Sequence, residues 1–193
     1  MLIQTRVAPS GHSIDDYVVH RIMAVSHDGV QVPVTMMHHR DTPLDGTAPL
    51  YLYGYGSYGM SMPASFSIKR LSLADRGMIT ATAHVRGGAD MGYGWYLDGK
   101  MEKKTNTFID FIAARDALVN RGWVDGSRVG AEGGSAGGML MGAIANMAPE
   151  KFASIIGAVP FVDVLATMLD ETLPLTPPEW PEWGNPLADK EAY

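Results

Sequence analysis

The stretch "RVGAEGGSAGGMLMG", residues 128–142, restricts what this chain can fold into more than any other segment. It reads as a short strand over 127–133, a glycine turn, and an apolar helix over 136–148. Gly133-Gly134-Ser135-Ala136-Gly137 satisfies G-x-S-x-G, a pattern in which the serine stands exposed on a sharp strand-to-helix turn. Such a strained backbone crowds the positions two before and two after the serine, so side chains there must be small. A serine that only capped the helix would need no flanking glycines. The helix beginning at Ala136 would also aim its free N–H groups at the cleft in front of Ser135, which favours an anion there.

The rest of the chain alternates strands and helices. Residues 17–40 predict two strands around Asp28-Gly29, a strong hairpin turn. "LYLYG", 50–54, is a short apolar run that predicts a buried strand. Apolar residues at Phe66, Ile68, Leu71, Leu73 and Ala74 predict a helix over 66–76 that ends near Gly77. "MITATAHV", 78–85, is a β-branched strand. A helix is predicted over 105–121, with Thr107 and Asp110 as a capping box, Phe108, Phe111, Ile112 and Leu118 on one face, and Gly122 as its stop. "FASIIGAVP", 152–160, predicts a further buried strand. From residue 164 onward the chain is Pro-rich and reads as irregular. This order implies βαβ units, a mostly parallel sheet and an α/β fold whose functional loops lie at the strand C-terminal ends.

Composition narrows the function. A chain of 193 residues with 46% apolar and 19% charged residues fits one ordinary globular domain,. A net charge of −6 argues against a nucleic-acid partner,. The absence of cysteine excludes disulfides, a cysteine zinc site and a cysteine nucleophile,. No apolar window is long enough for a membrane helix. The opening "MLIQTRVAPSGHSIDD" has no charged start followed by an apolar core. These readings predict no membrane partner and a cytoplasmic location.

A second glycine stretch, Gly54-Tyr55-Gly56-Ser57-Tyr58-Gly59, matches the dinucleotide fingerprint G-x-G-x-x-G. That reading requires a helix to open directly on the glycines. Here "SYGMSMPASF" follows and reads as loop. It also requires an acid at the end of the second strand, whereas Asp75 precedes that strand. The better reading is a loop at the end of a central strand, beside Ser135. One of its tyrosines would offer a phenol O–H to a developing oxyanion, or Tyr53, Tyr55 and Tyr58 would simply pack.

Taken together, "YGYGSYG", "HVRGG", "GYGWYLDGKMEKKTNTFIDF", "GGSAGGMLMG", "VPFVDV" and "EWGNP" resemble, in order and spacing, the oligopeptidase B branch of the prolyl oligopeptidase family of serine peptidases. The resemblance implies an α/β-hydrolase fold. It also implies that Ser135 is the nucleophile, and that the Tyr55 hydroxyl and the Ala136 N–H are the oxyanion donors. Glu179, in "TPPEWPEWGNP", falls on the first acid of the pocket that receives Arg or Lys. The family's next acid is Pro181 here, with Glu182 one residue further on. Where the family has aspartates that favour a second basic residue, this chain has Pro63 and Ser65, which puts a dibasic preference in doubt. The implied partners are short, basic peptides, and no metal or organic cofactor is implied.

A serine nucleophile needs a base, and none of the six histidines (His12, His20, His27, His38, His39, His84) follows Ser135,. His84, in the strand–loop segment "HVRGG", is a poor substitute. Asp163 and Asp170 follow Ser135 but read as loop residues. The simplest account is an incomplete α/β-hydrolase domain, with 1–48 a lead-in bearing the hairpin and 49–193 a core bearing the elbow. The resemblance then places a β-propeller before Met1, and the catalytic Asp and His beyond Tyr193. The alternatives are a carboxylesterase of the same fold, or a non-catalytic interaction domain with a vestigial elbow.

Overall fold

The computed structural model describes residues 11–63, 65 and 67–190. Phe66 and the first ten residues, used in the readings above, lie outside them. Strands β1 (Tyr17–Val25) and β2 (Gln31–His39) pair antiparallel from Tyr17↔His39 to Val25↔Gln31. Asp28-Gly29 form the turn between them, where Gly29 takes a φ of 82° and its N–H donates to the Ser26 carbonyl. Side chains alternate as the pleat requires, so Ile22 and Ala24 are buried while Met23 and Val25 are exposed.

The chain continues through β3 (Leu50–Tyr53), α1 (Ile68–Ala74), β4 (Ile79–Ala83), α2 (Tyr93–Leu97) and α3 (Thr105–Asn120). It then forms β5 (Val129–Gly134), α4 (Ala136–Met147), β6 (Ser154–Ala158), α5 (Val164–Leu169) and α6 (Thr176–Trp183). The strands lie side by side in the order β1-β2-β4-β3-β5-β6. β3 pairs parallel with both β4 and β5, and β5 pairs parallel with β6, whereas β2 joins β4 antiparallel. The sheet is therefore mixed. From β3 the chain moves outward on one side to β4, and later on the other side to β5. That divergence opens a crevice beyond the C-terminal ends of β3 and β5, the place where open α/β sheets bind ligands. Leu50, Leu52, Ile79, Phe111, Leu118, Leu140 and Ile144 are fully buried in the core that α3 and α4 share with the sheet. Among the described residues no helix is long and apolar enough to cross a membrane.

Three expectations are corrected. Thr107 and Asp110 are not a capping box, because α3 starts two residues earlier. Thr107 lies inside the helix, where its hydroxyl donates to the carbonyls of Arg86 (2.8 Å) and Gly99 (3.2 Å). The apolar segment 152–160 is not a buried strand. Among the described residues β6 pairs only with β5, at the sheet edge, which leaves Ile156 half exposed and Val159 86% exposed. The Pro-rich end is not irregular, since it forms α5 and α6. Pro177 and Pro178 sit in the first turn of α6, where a helix needs no N–H donors,.

A buried ion pair ties the hairpin to α3. Arg86, in the loop after β4, donates from Nε and one terminal nitrogen to the two oxygens of Asp110, at 2.8 and 2.7 Å. Its other terminal nitrogen reaches Asp28 at the hairpin turn, at 2.5 Å. Ser26 donates to Asp110 at 2.6 Å. Arg86 and Asp110 are 3% and 0% exposed. The bonds to Asp110, above all, raise the arginine pKa, and the bond to Arg86 lowers that of Asp28. Removing one partner strands a buried charge, which costs about 3–5 kcal/mol. Asp110→Ala should therefore lose about that much in denaturant unfolding. A loss below about 1 kcal/mol would show that water replaces the carboxylate.

Candidate active site

Both glycine stretches lie at the crevice. Ser135 joins β5 to α4 with φ 54° and ψ −119°, a left-handed backbone in a residue that carries a Cβ. Such a conformation costs on the order of 1–3 kcal/mol and persists only where the surroundings fix it. Here the Ser135 N–H donates to the Ala158 carbonyl at 2.9 Å. Its carbonyl accepts from the N–H groups of Gly138 (2.8 Å) and Phe161 (2.9 Å). The exposed Ser135 side chain makes no capping bond to α4, so it is not an ordinary N-cap. The demand for small neighbours has a direct steric cause. A Cβ on Gly133 would lie 2.2 Å from the Gly137 carbonyl oxygen, and one on Gly137 would lie 2.8 Å from the Gly54 carbonyl oxygen. Ala136 is buried at the first position of α4, where N–H groups have no acceptor within the helix,.

The 54–59 loop leaves β3 directly opposite. Gly137 packs against Tyr55, so the two stretches touch through backbone that a larger side chain would separate. The Tyr55 phenol is half-buried. Burial first, then Tyr53, raise its pKa, while the neighbouring Ser135 works in the other direction. It is therefore protonated at neutral pH and able to donate. Among the described residues no helix follows Gly59 until α1 begins at Ile68, so no helix opens on these glycines.

Glu179, on α6, shares a cavity of about 320 Å³ with Ser135, walled by Tyr58, Phe161, Met168 and Thr176. Its Oε2 accepts from the Tyr58 hydroxyl at 3.0 Å and from the Trp183 indole N–H at 2.9 Å. Among the described residues no cation forms a salt bridge with it. Pro63 and Ser65 do not join this cavity. They line a separate one of about 460 Å³ together with Arg70 and His84. His84 is engaged at both ring nitrogens, by Asp90 at 2.8 Å and Thr35 at 2.9 Å. Asp163 caps α5, and Asp170 accepts from Thr172.

Lys104 has no role in the sequence reading, and Glu182 enters it only as the acid one residue beyond Pro181. Glu182 is 4% exposed and accepts from the Tyr58 N–H (2.9 Å) and the Tyr96 hydroxyl (2.7 Å). Lys104 donates to the Gly56 carbonyl at 2.5 Å, the Ser57 hydroxyl at 2.8 Å and the Gly99 carbonyl at 3.2 Å. Glu179 and Glu182 are three residues apart, a spacing that puts both on one helix face. That signal was present, but it has meaning only once 176–183 is known to be helical.

A parallel-centred α/β sheet with an elbow serine at its crevice defines an α/β-hydrolase fold. Residues 64–193 match the sequence profile of the prolyl oligopeptidase family. Dipeptidyl aminopeptidase BI of Pseudoxanthomonas mexicana is 54% identical over 91% of this chain and 24% of its own length. Protease 2 of Moraxella lacunata is 47% identical over 97% of this chain and 28% of its own. The structure of oligopeptidase B from Leishmania major superposes with a TM-score of 0.91 at 47% identity, over 95% of this chain and 26% of that one. The chain belongs to the prolyl oligopeptidase family, and it spans about a quarter of the length of these relatives.

The elbow predicts a contrast between adjacent glycines. A Cβ on Gly134 meets the Ala158 carbonyl oxygen at 3.4 Å and the Ala158 Cβ at 3.7 Å, both ordinary contacts. Gly134→Ala should shift stability by less than about 1 kcal/mol. Gly133→Ala forces backbone apart and should cost more than about 2 kcal/mol by overpacking. Equal losses in denaturant titrations would show that the elbow relaxes at no cost.

Proposed function

We propose that this chain is part of the catalytic domain of a longer serine peptidase that hydrolyses short peptides after Arg or Lys. The observation that carries the reading is Ser135 at positive φ, in one cavity with Glu179. In this account the Ser135 oxygen attacks the scissile carbonyl and its proton passes to a base. The carbon–nitrogen bond then breaks as the amine takes a proton, and water releases the acyl group. Tyr55 and the Ala136 N–H stabilise the oxyanion. Support for the longer protein comes from the relatives' length and from the lack of any histidine after Ser135. A β-propeller domain and the remaining triad residues would lie in the rest of that protein, beyond 1–48 and the 49–193 core.

Support for the basic preference is electrostatic. Both donors to Glu179, a phenol and an indole, are neutral, and among the described residues no cation pairs with it. A guanidinium or ammonium entering beside Ser135 would supply one. A second reading has its own support. A relative at 54% identity is named a dipeptidyl aminopeptidase, and a carboxylate in this position would equally receive a peptide's free α-ammonium.

In the full-length protein, Tyr55→Phe should lower kcat by about a hundredfold or more and leave KM nearly unchanged, because the phenol acts in the transition state. Wild-type kcat in that variant would reduce Tyr55 to a packing residue. Glu179→Gln should reduce kcat/KM for an Arg substrate by about tenfold or more, since truncating a desolvated charge pair costs about 2–5 kcal/mol. A neutral substrate should be unaffected. If acetylation of the substrate's N-terminus abolishes the Glu179 effect, the second reading replaces the first. The 193-residue chain alone should hydrolyse no peptide at a rate typical of peptidases,. Turnover abolished by Ser135→Ala would refute the fragment account.

A further inference from the structure

We propose that Lys104 is a positioning residue that holds Tyr55 in place to donate to the oxyanion. The inference rests on the peptidase reading above but assigns a role to a residue outside the reacting groups. Lys104 precedes α3, and its ammonium makes three hydrogen bonds, to Gly56, Ser57 and Gly99. Two of these partners are the residues that immediately follow Tyr55. None is a carboxylate, so the lysine spends its charge on orienting the loop rather than on an ion pair. The Gly56 carbonyl cannot retreat from it. A Cβ on Gly87 would lie 2.0 Å from the Gly56 oxygen, which shows how closely that loop presses from behind. The ammonium also lies 5.3 Å from the centre of the Trp183 ring, on the helix that carries Glu179. Holding the Gly56–Ser57 peptide restrains the backbone from which the Tyr55 side chain projects, and about 1 Å of misplacement can cost about a hundredfold in rate.

The electrostatic surroundings make this grip pH-dependent. Glu182 on α6 is the facing charge and favours the ammonium. Tyr96 of α2 binds Glu182, Tyr55 and Tyr58 flank the lysine's partners Gly56 and Ser57 in sequence, and Lys103 beside it is paired with Asp98. Desolvation outweighs Glu182 and lowers the lysine pKa to about 8. The sign for stability is the reverse of the sign for the grip. Between pH 8 and the unfolded-state pKa near 10.5, the unfolded chain binds the extra proton, so this group's contribution to stability rises with pH. Over the same range the neutral amine donates more weakly and the loop loosens.

The test uses the full-length protein and the double-mutant cycle of Lys104→Met with Tyr55→Phe. Lys104→Met alone should lower kcat by about tenfold to a hundredfold with KM nearly constant. In the Tyr55→Phe background it should cost less than about twofold, because nothing remains to be positioned. Additive losses would overturn the proposal while leaving the peptidase reading intact. Wild-type kcat in Tyr55→Phe alone would reduce Tyr55 to a packing residue and overturn the proposal, whereas only a full-length protein without peptidase activity would sink the reading itself. If Lys104→Met does not fold, the wild-type pH profile decides. It should show kcat falling above pH about 8, with no accompanying fall in unfolding free energy between pH 8 and 10, and this limb should be absent from Tyr55→Phe. A limb retained in Tyr55→Phe, or none in the wild type, would overturn the proposal.

Discussion

The guanidinium of Arg86 is the joint on which the site depends. It receives Asp110 from α3 and Asp28 from the hairpin turn, with Ser26 bridging. These groups come from three separate stretches of chain. The arginine's own carbonyl accepts from Thr107, so backbone and side chain of one residue are both pinned to α3. The next residue, Gly87, packs on the Gly56 carbonyl, and Gly59 donates to the Gly87 carbonyl at 3.0 Å. The loop that carries Tyr55 thus rests on a loop whose own position is set by a buried ion pair. Such a pair adds little net stability over apolar packing, but its directional bonds select one arrangement of the elements it joins.

How much of this was legible in the sequence varies with the range of the interaction responsible. The elbow could be read because its cause is local. A strand, a left-handed serine and a helix within a few residues force Gly133 and Gly137 to be small whatever lies elsewhere. The hairpin, the buried β3 and α3 followed from periodicity and turn chemistry for the same reason. Thr107 and Asp110 were misread because a capping box and a buried tertiary anchor use the same side chains. Only the distant Arg86 distinguishes them. β6 is apolar, as a central strand would be, but composition does not reveal which neighbours cover it. The prolines of 176–183 read as breakers, whereas two of them occupy a first turn that tolerates them,.

The misreading of α6 mattered most for the site. As irregular chain, Glu179 and Glu182 are two acids near a conspicuous motif. As one helix face, they are two acids aimed at one loop, and their environments separate them. Glu182 is buried, accepts from two donors and has Lys104 as a facing charge without a salt bridge to it, so its effect is to hold Tyr58. Glu179 has two neutral donors and opens on the Ser135 cavity, so its charge is oriented but not neutralised. Desolvating a carboxylate without a counter-ion is unfavourable, and a fold keeps one there only if something else compensates. Among the described residues the compensation is partial exposure and two hydrogen bonds. A cation bound in the cavity would complete it, and that incompleteness is the physical support for the recognition role proposed for Glu179, in contrast to Glu182, which holds the loop.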